Sequence, residues 1–397
     1  MTGHDETATD ALARETSQGA LARAGRIVVK VGSALICNEH GQVNEPWLRG
    51  LAADIQALRN SGRDVVVVTS GAIALGRRRL GLKNSLRLDE KQAASAAGQV
   101  QLAQAWQQAF DAHDTPVAQI LLTLDDTENR RRYINARMTL ESLAAAGAVA
   151  VVNENDTIAT SEIRYGDNDR LAAHTAQLFG ADLLLILSDI DGLYTADPRV
   201  DAAAAHIPLV QAITPDISAM ASGPNREANI GSGGMESKLA AARIAADSGC
   251  ETVIASGRVE HPIQAVANGA RSTLFLSATD PRTARRKWIG GRLKTRGEIR
   301  IDAGARRAIE KGASLLPAGV TDVWGDFVRG DAVLVLDENG LRIGCGLASF
   351  GAVEMRSVIG RRSEEIEQIL GYACRPAAIE RDNLVMDNAP ARPSETT

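Results

Sequence analysis

Short apolar runs alternate with helix-patterned stretches through the first two-thirds of the chain. The runs are rich in Val, Ile and Leu at consecutive positions, as in parallel strands covered by helices on both faces. The strand runs are Ile27–Ile36, Val65–Thr69, Val117–Leu122, Ala148–Asn153, Leu183–Ser188 and Thr252–Ala255. The helical stretches are Pro46–Asn60, Lys91–His113, Tyr133–Ala146, Arg170–Leu178 and Met235–Asp247. This alternation predicts an α/β fold, mainly a parallel sheet sandwiched by helices.

The pattern changes after about Asp280, where a segment rich in Arg and Lys and free of acidic residues begins. Beyond it lie shorter β-like runs, Glu298–Ile301, Ala332–Leu336 and Leu341–Ala348, separated by turn residues. This change predicts a second, small β-rich domain. The predicted limits are a disordered tail over 1–25, a first domain over 26–280, a basic linker over 281–296, a second domain over 297–386 and a disordered tail over 387–397.

Composition restricts the class of function. Of 397 residues, 45% are hydrophobic and 23% charged, which is typical of a globular protein that buries a large core. The formal net charge of −5 gives no general attraction to nucleic acid or to an anionic membrane. Aromatic residues make up only 3%, which leaves little material for a base-stacking surface.

The cysteines and the termini bear on the compartment. The four cysteines form no C-x-x-C pair and have no histidine cluster beside them, so we expect neither disulfides nor a zinc site. The N-terminal segment lacks the basic start and apolar stretch of a signal peptide. No apolar run approaches the length of about 18 residues that a membrane span needs. We therefore expect a cytoplasmic protein with no membrane partner.

Small polar groups follow several of the predicted strands. Lys30-Val31-Gly32-Ser33 lies at the end of the first strand, where a lysine is costly to bury unless it meets an anion. Thr69-Ser70-Gly71-Ala72 offers hydroxyl groups and a close-packed backbone after the second. Ligands of open α/β sheets bind at the carboxyl ends of strands. Alone, the first motif is a weak signal because surface lysines often end strands, and the second is better explained by a tight strand-to-helix turn. Their coincidence favours a site for an anionic ligand.

Carboxylates and amides are concentrated in two further segments, Asn153-Glu154-Asn155-Asp156 and Gly166-Asp167-Asn168-Asp169. They are suited to hold a substrate amino group, Mg²⁺ or a lysine. The segment Gly231–Lys238 is glycine-rich and precedes a helical pattern, so that its backbone N–H groups favour a phosphate. Together these residues indicate a nucleotide-dependent phosphotransferase acting on a small anionic substrate, because phosphoryl transfer needs mainly charge neutralisation and positioning.

Six motifs, in this order, resemble the amino-acid kinase family. They are V-V-K-V-G-S, V-V-T-S-G-A-I, V-N-E-N-D, Y-G-D-N-D, S-D-I-D-G-L-Y-T-A-D-P-R and G-S-G-G-M-E-S-K. The likeness extends from about Arg26 to Ala278, and G-E-I-R-I-D with A-S-L-L-P-A-G-V makes residues 297–384 similar to a PUA domain. The V-N-E-N-D and G-D-N-D pair with a PUA-like domain is typical of members that phosphorylate glutamate. The resemblance implies an amino-acid kinase fold followed by a small β-rich PUA-like domain.

The resemblance also implies roles for individual residues. Lys30 and Lys238 would neutralise the phosphoryl group during transfer, and Asp169 would orient both lysines. The residues expected to bind glutamate are Ser70, Gly71, Asp156, Asp167 and Asn168. The residues expected to bind ATP are Lys30, Ser188, Asp189, Ser232, Gly233, Gly234, Met235, Glu236, Ser237 and Lys238.

The resemblance implies ATP and Mg²⁺ as cofactors, with no residue assigned to the metal. It implies L-glutamate as substrate, L-glutamyl 5-phosphate as product and a place at the first step of proline biosynthesis. It further implies proline as an inhibitor and a homo-oligomer, either a dimer or a tetramer. The chain departs from the common family pattern at Ser188, Ser232 and Ser237, where Thr is frequent, but serine keeps the hydroxyl group.

Two alternatives stay open at this point. One is another kinase of the family, such as N-acetylglutamate kinase, aspartokinase or UMP kinase. The other is an RNA-binding or regulatory protein that uses its PUA-like module. Acidic residues outnumber basic ones over 297–382, which weighs against RNA, whereas the basic segment 281–296 leaves RNA as a secondary partner.

Overall fold

The computed structural model describes residues 16–38, 40–83, 86–158, 168–221, 234–292 and 294–387. The chain forms two compact units, of which the first ends at Pro281 and the second begins at Arg282. The predicted tail 387–397 lies outside the described residues except for Asp387, and the exact limits of the two domains stay predictions. Within the described ranges, no helix is both long and apolar enough to cross a membrane.

The first unit is built on an eight-stranded sheet in the order β3-β4-β2-β1-β5-β9-β10-β8. Its pairs are parallel except β9 with β10, which confirms the prediction of a mainly parallel sheet. The strands are β1 (Arg26–Val31), β2 (Asp64–Val68), β3 (Val117–Leu122), β4 (Val149–Glu154), β5 (Leu183–Ser188), β8 (Leu209–Val210), β9 (Glu251–Ser256) and β10 (Ser272–Phe275). A separate two-stranded ribbon pairs β6 (Leu193–Tyr194) with β7 (His206–Ile207).

Helices flank this sheet. They are α1 (Ser17–Arg23), α2 (Ser33–Ile36), α3 (Glu45–Asn60), α4 (Ala72–Arg79), α5 (Leu88–Asp111), α6 (Leu124–Glu128), α7 (Arg130–Ala145), α8 (Asn168–Phe179), α9 (Pro215–Ala221), α10 (Met235–Asp247) and α11 (Pro262–Ala267). Strand β1 lies in the middle of the sheet, and its residues from Ile27 to Val31 are all buried. The one charged side chain in this buried run is that of Lys30.

Two predictions near the N-terminus differ from the structure. The tail predicted over 1–25 contains helix α1, which buries Ala20 and Leu21 in the core, so the disorder prediction does not hold for Ser17–Arg23. The strand predicted over Ile27–Ile36 ends at Val31, and its apolar continuation forms the short helix α2. Apolar runs of this length fit a buried helix as well as a strand, so the pattern alone could not separate the two.

The second unit contains a five-stranded sheet in the order β12-β11-β13-β14-β15. The strands are β11 (Gly297–Ile301), β12 (Val320–Gly325), β13 (Ala332–Leu336), β14 (Arg342–Leu347) and β15 (Leu384–Met386), and the helices are α12 (Pro281–Arg292), α13 (Ala303–Glu310), α14 (Ala352–Ser357) and α15 (Ser363–Leu370). Its core includes Ile299, Val335 and Met355. The predicted basic linker 281–296 therefore consists largely of helix α12, which buries Ile289.

Helices α4 and α5 cross at two glycines. A Cβ atom added at Gly98 would meet the carbonyl oxygen of Ala72 and lie 2.5 Å from the nitrogen of Gly76. A Cβ added at Gly76 would meet the carbonyl oxygen of Ala94 and lie 2.7 Å from the nitrogen of Gly98. Backbone atoms cannot yield as a flexible side chain can, so only glycine allows this approach. The contact holds α5 directly against the helix that follows Ser70 and Gly71.

We predict that Gly98→Ala destabilises the protein by about 1–3 kcal/mol, because the added methyl group overpacks a backbone contact. In an unobstructed helix the same change stabilises by up to about 1 kcal/mol, so the sign of the effect is informative. Gly290→Ala is the matched control, since this helical glycine is exposed and its added Cβ would lie 3.5 Å from Val385, an ordinary contact. Urea unfolding of both variants measures the difference, and equal midpoints would contradict the proposed crossing.

Candidate active site

The carboxyl ends of four strands meet at one edge of the large sheet. Strand β1 is parallel to β2 on one side and to β5 on the other, with Lys30 paired to Val68 and to Ile186. Strand β4 is parallel to β2 on its far side. Residues that follow these strands are therefore brought to the same edge, as the sequence pattern predicts.

Three charged side chains form a buried cluster at this edge. Lys30 on β1, Asp169 on α8 and Lys238 on α10 are 5%, 0% and 4% exposed. The Lys30 ammonium forms an ion pair with Oδ1 of Asp169, and Lys238 Nζ donates to Oδ2 at 3.1 Å. Ser237 also donates to Oδ2, at 3.4 Å. One carboxylate thus contacts two ammonium groups, and the orienting role of Asp169 stays a prediction.

The Asp169 carboxylate joins the two lysines of the cluster. Burial raises the pKa of Asp169, but the charges and hydrogen bonds of Lys30 and Lys238 outweigh it and hold the pKa below its ordinary value. Asp169 is therefore ionised at neutral pH and pairs with both lysines. Lysine ammonium groups are costly to bury and are stabilised by anions.

Asn168, next to Asp169, is held by a chain of amide hydrogen bonds. Its Nδ2 donates to the carbonyl oxygen of Thr69 at 2.5 Å and to Oδ1 of Asn153 at 2.8 Å. Asn153 Nδ2 in turn donates to Oε1 of Gln99 at 2.7 Å. Because both N–H bonds of Asn168 are used, its Oδ1 is the atom left to accept a hydrogen bond from a ligand.

Asp156 follows β4 and lies in the wall of a cavity of about 250 Å³. Its Oδ2 accepts a hydrogen bond of 2.6 Å from the hydroxyl of Ser95 on α5. Burial raises the pKa of Asp156, and the Ser95 hydrogen bond lowers it in part, so that the pKa stays above its ordinary value. A carboxylate in this position is suited to an ammonium group, which would stabilise its ionised form.

Ser70 and Gly71 connect β2 to α4. Ser70 is buried, and Gly71 caps the helix with a φ of 104°, in the left-handed region that favours glycine. Thr69, just before them, accepts a 3.0 Å hydrogen bond from the buried indole of Trp106. The turn is therefore anchored from its strand side and leaves Ser70 at the sheet edge.

The residues predicted to hold the nucleotide lie at the end of β5 and the start of α10. Ser188 ends β5, and its hydroxyl donates to Asp189 Oδ1 at 3.1 Å. Arg258 donates from Nε to the carbonyl oxygen of Asp189 at 3.1 Å. Gly234 precedes α10, whose first residues are Met235, Glu236, Ser237 and Lys238. The predicted residues Asp167, Ser232 and Gly233 lie outside the described residues.

Sequence reasoning assigned no role to two residues of this site, Ser95 and Gln99. Both lie on α5, one turn apart, and are buried. Their partners are 61 and 54 positions away in the chain, respectively. One signal was available, since Ser95 interrupts a run of four alanines in A-A-S-A-A.

The buried cluster fits the phosphate groups of a nucleotide. Two buried lysines lie in it, and α10 begins three residues before Lys238 with backbone N–H groups that have no partner within the helix. Among the described residues, no group of three or more acidic, histidine or cysteine side chains is arranged to ligate a metal. Mg²⁺ commonly retains several waters and binds through substrate phosphates, so a dedicated protein cage is not required.

Comparisons with known proteins agree with this geometry. Residues 25–256 match the Amino acid kinase family, and residues 297–370 match the PUA domain. The glutamate 5-kinase of Paramagnetospirillum magneticum is 55% identical over 92% of this chain and 99% of its own length. The glutamate 5-kinases of Agrobacterium fabrum and Gluconobacter oxydans are 52% and 54% identical, over 93% and 92% of this chain and 95% and 97% of their own. This chain is therefore a kinase that belongs to the amino acid kinase family, among the glutamate 5-kinases with a C-terminal PUA domain.

Proposed function

We propose that this protein transfers the γ-phosphoryl group of ATP to the side-chain carboxylate of L-glutamate, giving L-glutamyl 5-phosphate and ADP. The observation that carries the proposal is the buried Lys30–Asp169–Lys238 cluster at the carboxyl ends of the strands. Two buried lysines held by one carboxylate suit a reaction in which negative charge develops on a phosphoryl group between two oxygens. The names of the relatives support glutamate as the acceptor.

In the proposed reaction a glutamate carboxylate oxygen forms a bond to the γ-phosphorus, while the bond between that phosphorus and the bridging oxygen of ADP breaks. The electron pair of the broken bond stays on ADP. No proton has to move, because the attacking carboxylate is already ionised at neutral pH. Lys30 and Lys238 neutralise the transferred group, and Asp169 keeps both ammonium groups in place.

The amino acid would lie on the side of the sheet formed by β2 and β4. The Asp156 carboxylate suits the substrate ammonium, and Oδ1 of Asn168 is an acceptor for the same group. Ser70 and the backbone of Gly71 are donors for a substrate carboxylate. Asp167 belongs to this set by resemblance alone.

ATP would lie on the side formed by β5 and α10. The proposed contacts are Ser188 and Asp189 at the end of β5 and the segment from Ser232 through Gly233, Gly234, Met235, Glu236 and Ser237 to Lys238. Backbone N–H groups at the start of α10 suit the phosphates. Mg²⁺ bound together with the nucleotide would screen the charge of the phosphate oxygens.

The hydroxamate assay tests this proposal directly. The protein is incubated with ATP, Mg²⁺, hydroxylamine and either L-glutamate, N-acetylglutamate or aspartate, so that an acyl phosphate is trapped as the hydroxamate. We expect hydroxamate from glutamate alone. Product from another acid would replace the proposed substrate, and no product from any acid in a folded, ATP-binding sample would refute the proposed kinase reaction.

Asp156→Asn is predicted to raise the KM for glutamate by about tenfold to a hundredfold, since a hydrogen bond to a charged group contributes about 1.5–3 kcal/mol. The KM for ATP should stay unchanged and serves as the internal control. Steady-state kinetics with each substrate varied in turn measures both constants. An unchanged KM for glutamate would remove Asp156 from the substrate site.

The place of the reaction in metabolism is also a proposal. Family resemblance supports a first step in proline biosynthesis, feedback inhibition by proline and a dimer or tetramer. Proline carries an ammonium and a carboxylate on one carbon, as glutamate does, so Asp156 would suit either ligand. Competitive inhibition by proline against glutamate, with none against ATP, is the expected pattern.

A further inference from the structure

The middle of α5 has one hydroxyl group in a run of alanines. Ser95 stands between Ala94 and Ala96 and is 3% exposed. Serine is a poorer helix former than alanine, and in a helix its hydroxyl commonly bonds to the carbonyl oxygen one turn back. Here it donates instead to Oδ2 of Asp156, at 2.6 Å. The hydroxyl therefore bonds to the loop after β4 rather than to the backbone of its own helix.

We infer that Ser95 is a positioning residue for the amino-acid substrate, because its hydroxyl fixes one oxygen of the Asp156 carboxylate and leaves the other for the substrate ammonium. This inference rests on the proposed function, in which Asp156 binds the amino acid. Ser95 itself need not touch the substrate. Its contribution is to the orientation and ionisation of a group that does.

The surroundings of Asp156 make this hydrogen bond important. From α5 the cavity is lined by uncharged side chains, those of Ser95, Gln99 and two apolar residues, and from β3 by Gln119 and Leu121. The other titratable lining group is Glu154 on β4. Burial raises the pKa of Asp156, and the Ser95 hydrogen bond opposes that rise. Among the described residues, Ser95 is therefore what favours the ionised carboxylate before the substrate binds.

A second contact on the same face of α5 supports the role. Gln99 lies one turn after Ser95 and accepts a hydrogen bond from Asn153, which in turn holds Asn168. The two side chains proposed to receive the ammonium, Asp156 and Asn168, are thus both oriented from one helix face. The glycine crossing with α4 at Gly98 fixes the position of that face.

Ser95→Ala is the test, because alanine is the better helix former and the variant should fold. We expect the KM for glutamate to rise about three- to tenfold, with kcat and the KM for ATP unchanged. Loss of the hydrogen bond raises the pKa of Asp156 further, so the acid limb of the pH profile of kcat/KM for glutamate should move to higher pH. The carboxyl groups of free glutamate titrate identically with both proteins and cancel in the comparison.

Two controls isolate the effect. Ser142→Ala makes the same change at an exposed position of helix α7 and should alter neither constant. In an Asp156→Asn background, Ser95→Ala should have no further effect on the KM for glutamate, because a residue that acts through Asp156 has nothing left to orient. Three results would each overturn the inference. They are additive effects of the two substitutions on the KM for glutamate, an acid limb of the pH profile that does not move, and a fall in kcat with a rise in the KM for ATP as large as the change in the KM for glutamate.

Failure of the proposed function would look different. If wild-type protein makes hydroxamate only from another amino acid, glutamate is the wrong substrate, and the same comparison with that amino acid tests Ser95. If it makes hydroxamate from an acid without a free amino group, such as N-acetylglutamate, the role of Ser95 toward an ammonium is overturned as well.

Discussion

Lys238→Ala and Lys30→Ala are each expected to lower kcat by about 10²- to 10³-fold, the usual cost of removing one preorganised group that stabilises charge in the transition state. Each variant leaves Asp169 paired with the remaining lysine, so the fold should survive. One of the two buried ammonium groups is then gone, and with it part of the neutralisation of the transferred phosphoryl group. The hydroxamate assay at saturating ATP and glutamate measures kcat directly.

Lys83→Ala removes an exposed lysine and is the matched control, with no expected change in kcat. Lys30→Arg should not restore activity, because a planar guanidinium does not replace a compact ammonium group at this buried position. Near-normal turnover in both alanine variants would remove the two lysines from the catalytic assignment.

Asp169→Asn is expected to destabilise the first unit by about 3–5 kcal/mol, the usual cost of leaving buried charges without their partner. Both Lys30 and Lys238 lose their counter-charge at once, while the side-chain volume hardly changes. Activity should fall as well, since neither ammonium group keeps its position. Urea unfolding followed by circular dichroism gives the difference in stability.

The pH dependence adds a second readout for Asp169. Its pKa is lowered in the folded state, so its stabilising contribution is complete above the ordinary pKa of an aspartate and is lost as the pH falls through the lowered value. The difference in unfolding free energy between wild type and Asp169→Asn should therefore become smaller as the pH falls into the acid range. Asp89→Asn, which removes an exposed ion pair with Arg87, should cost no more than about 1 kcal/mol. Equal stabilities of wild type and Asp169→Asn near pH 7 would contradict the buried cluster.

Much of the first unit follows from local sequence patterns. Strands buried on both faces consist of apolar runs, so β2, β4 and β5 lie where the pattern predicts them, to within a residue or two. A lysine in such a run is expensive, and this cost singles out Lys30 from the sequence alone. The pairing of Asp169 with both lysines was implied by family resemblance and is seen as geometry in the structure.

The rest depends on contacts between distant residues, which no local pattern contains. Nothing near Ser95 reveals that its hydroxyl meets Asp156, and nothing near Gln99 reveals the chain through Asn153 to Asn168. Helix α1 was missed for a related reason. Its segment is polar and rich in alanine, and only the structure shows that Ala20 and Leu21 pack in the core. Local sequence patterns determine which helices and strands form, and the packing of these elements determines which of their side chains come into contact.

The central position of β1 also affects how the chain is made. Its partner β2 follows soon after it, but its other partner, β5, is synthesised more than a hundred residues later. The ribosome adds about 5–20 residues per second, so the edge of β1 that pairs with β5 stays unpaired for roughly ten seconds during synthesis. An unpaired apolar edge is a template for pairing with other chains, and Lys30 still lacks Asp169 during that interval. The nascent chain is therefore expected to depend most on chaperones between the emergence of β2 and that of β5.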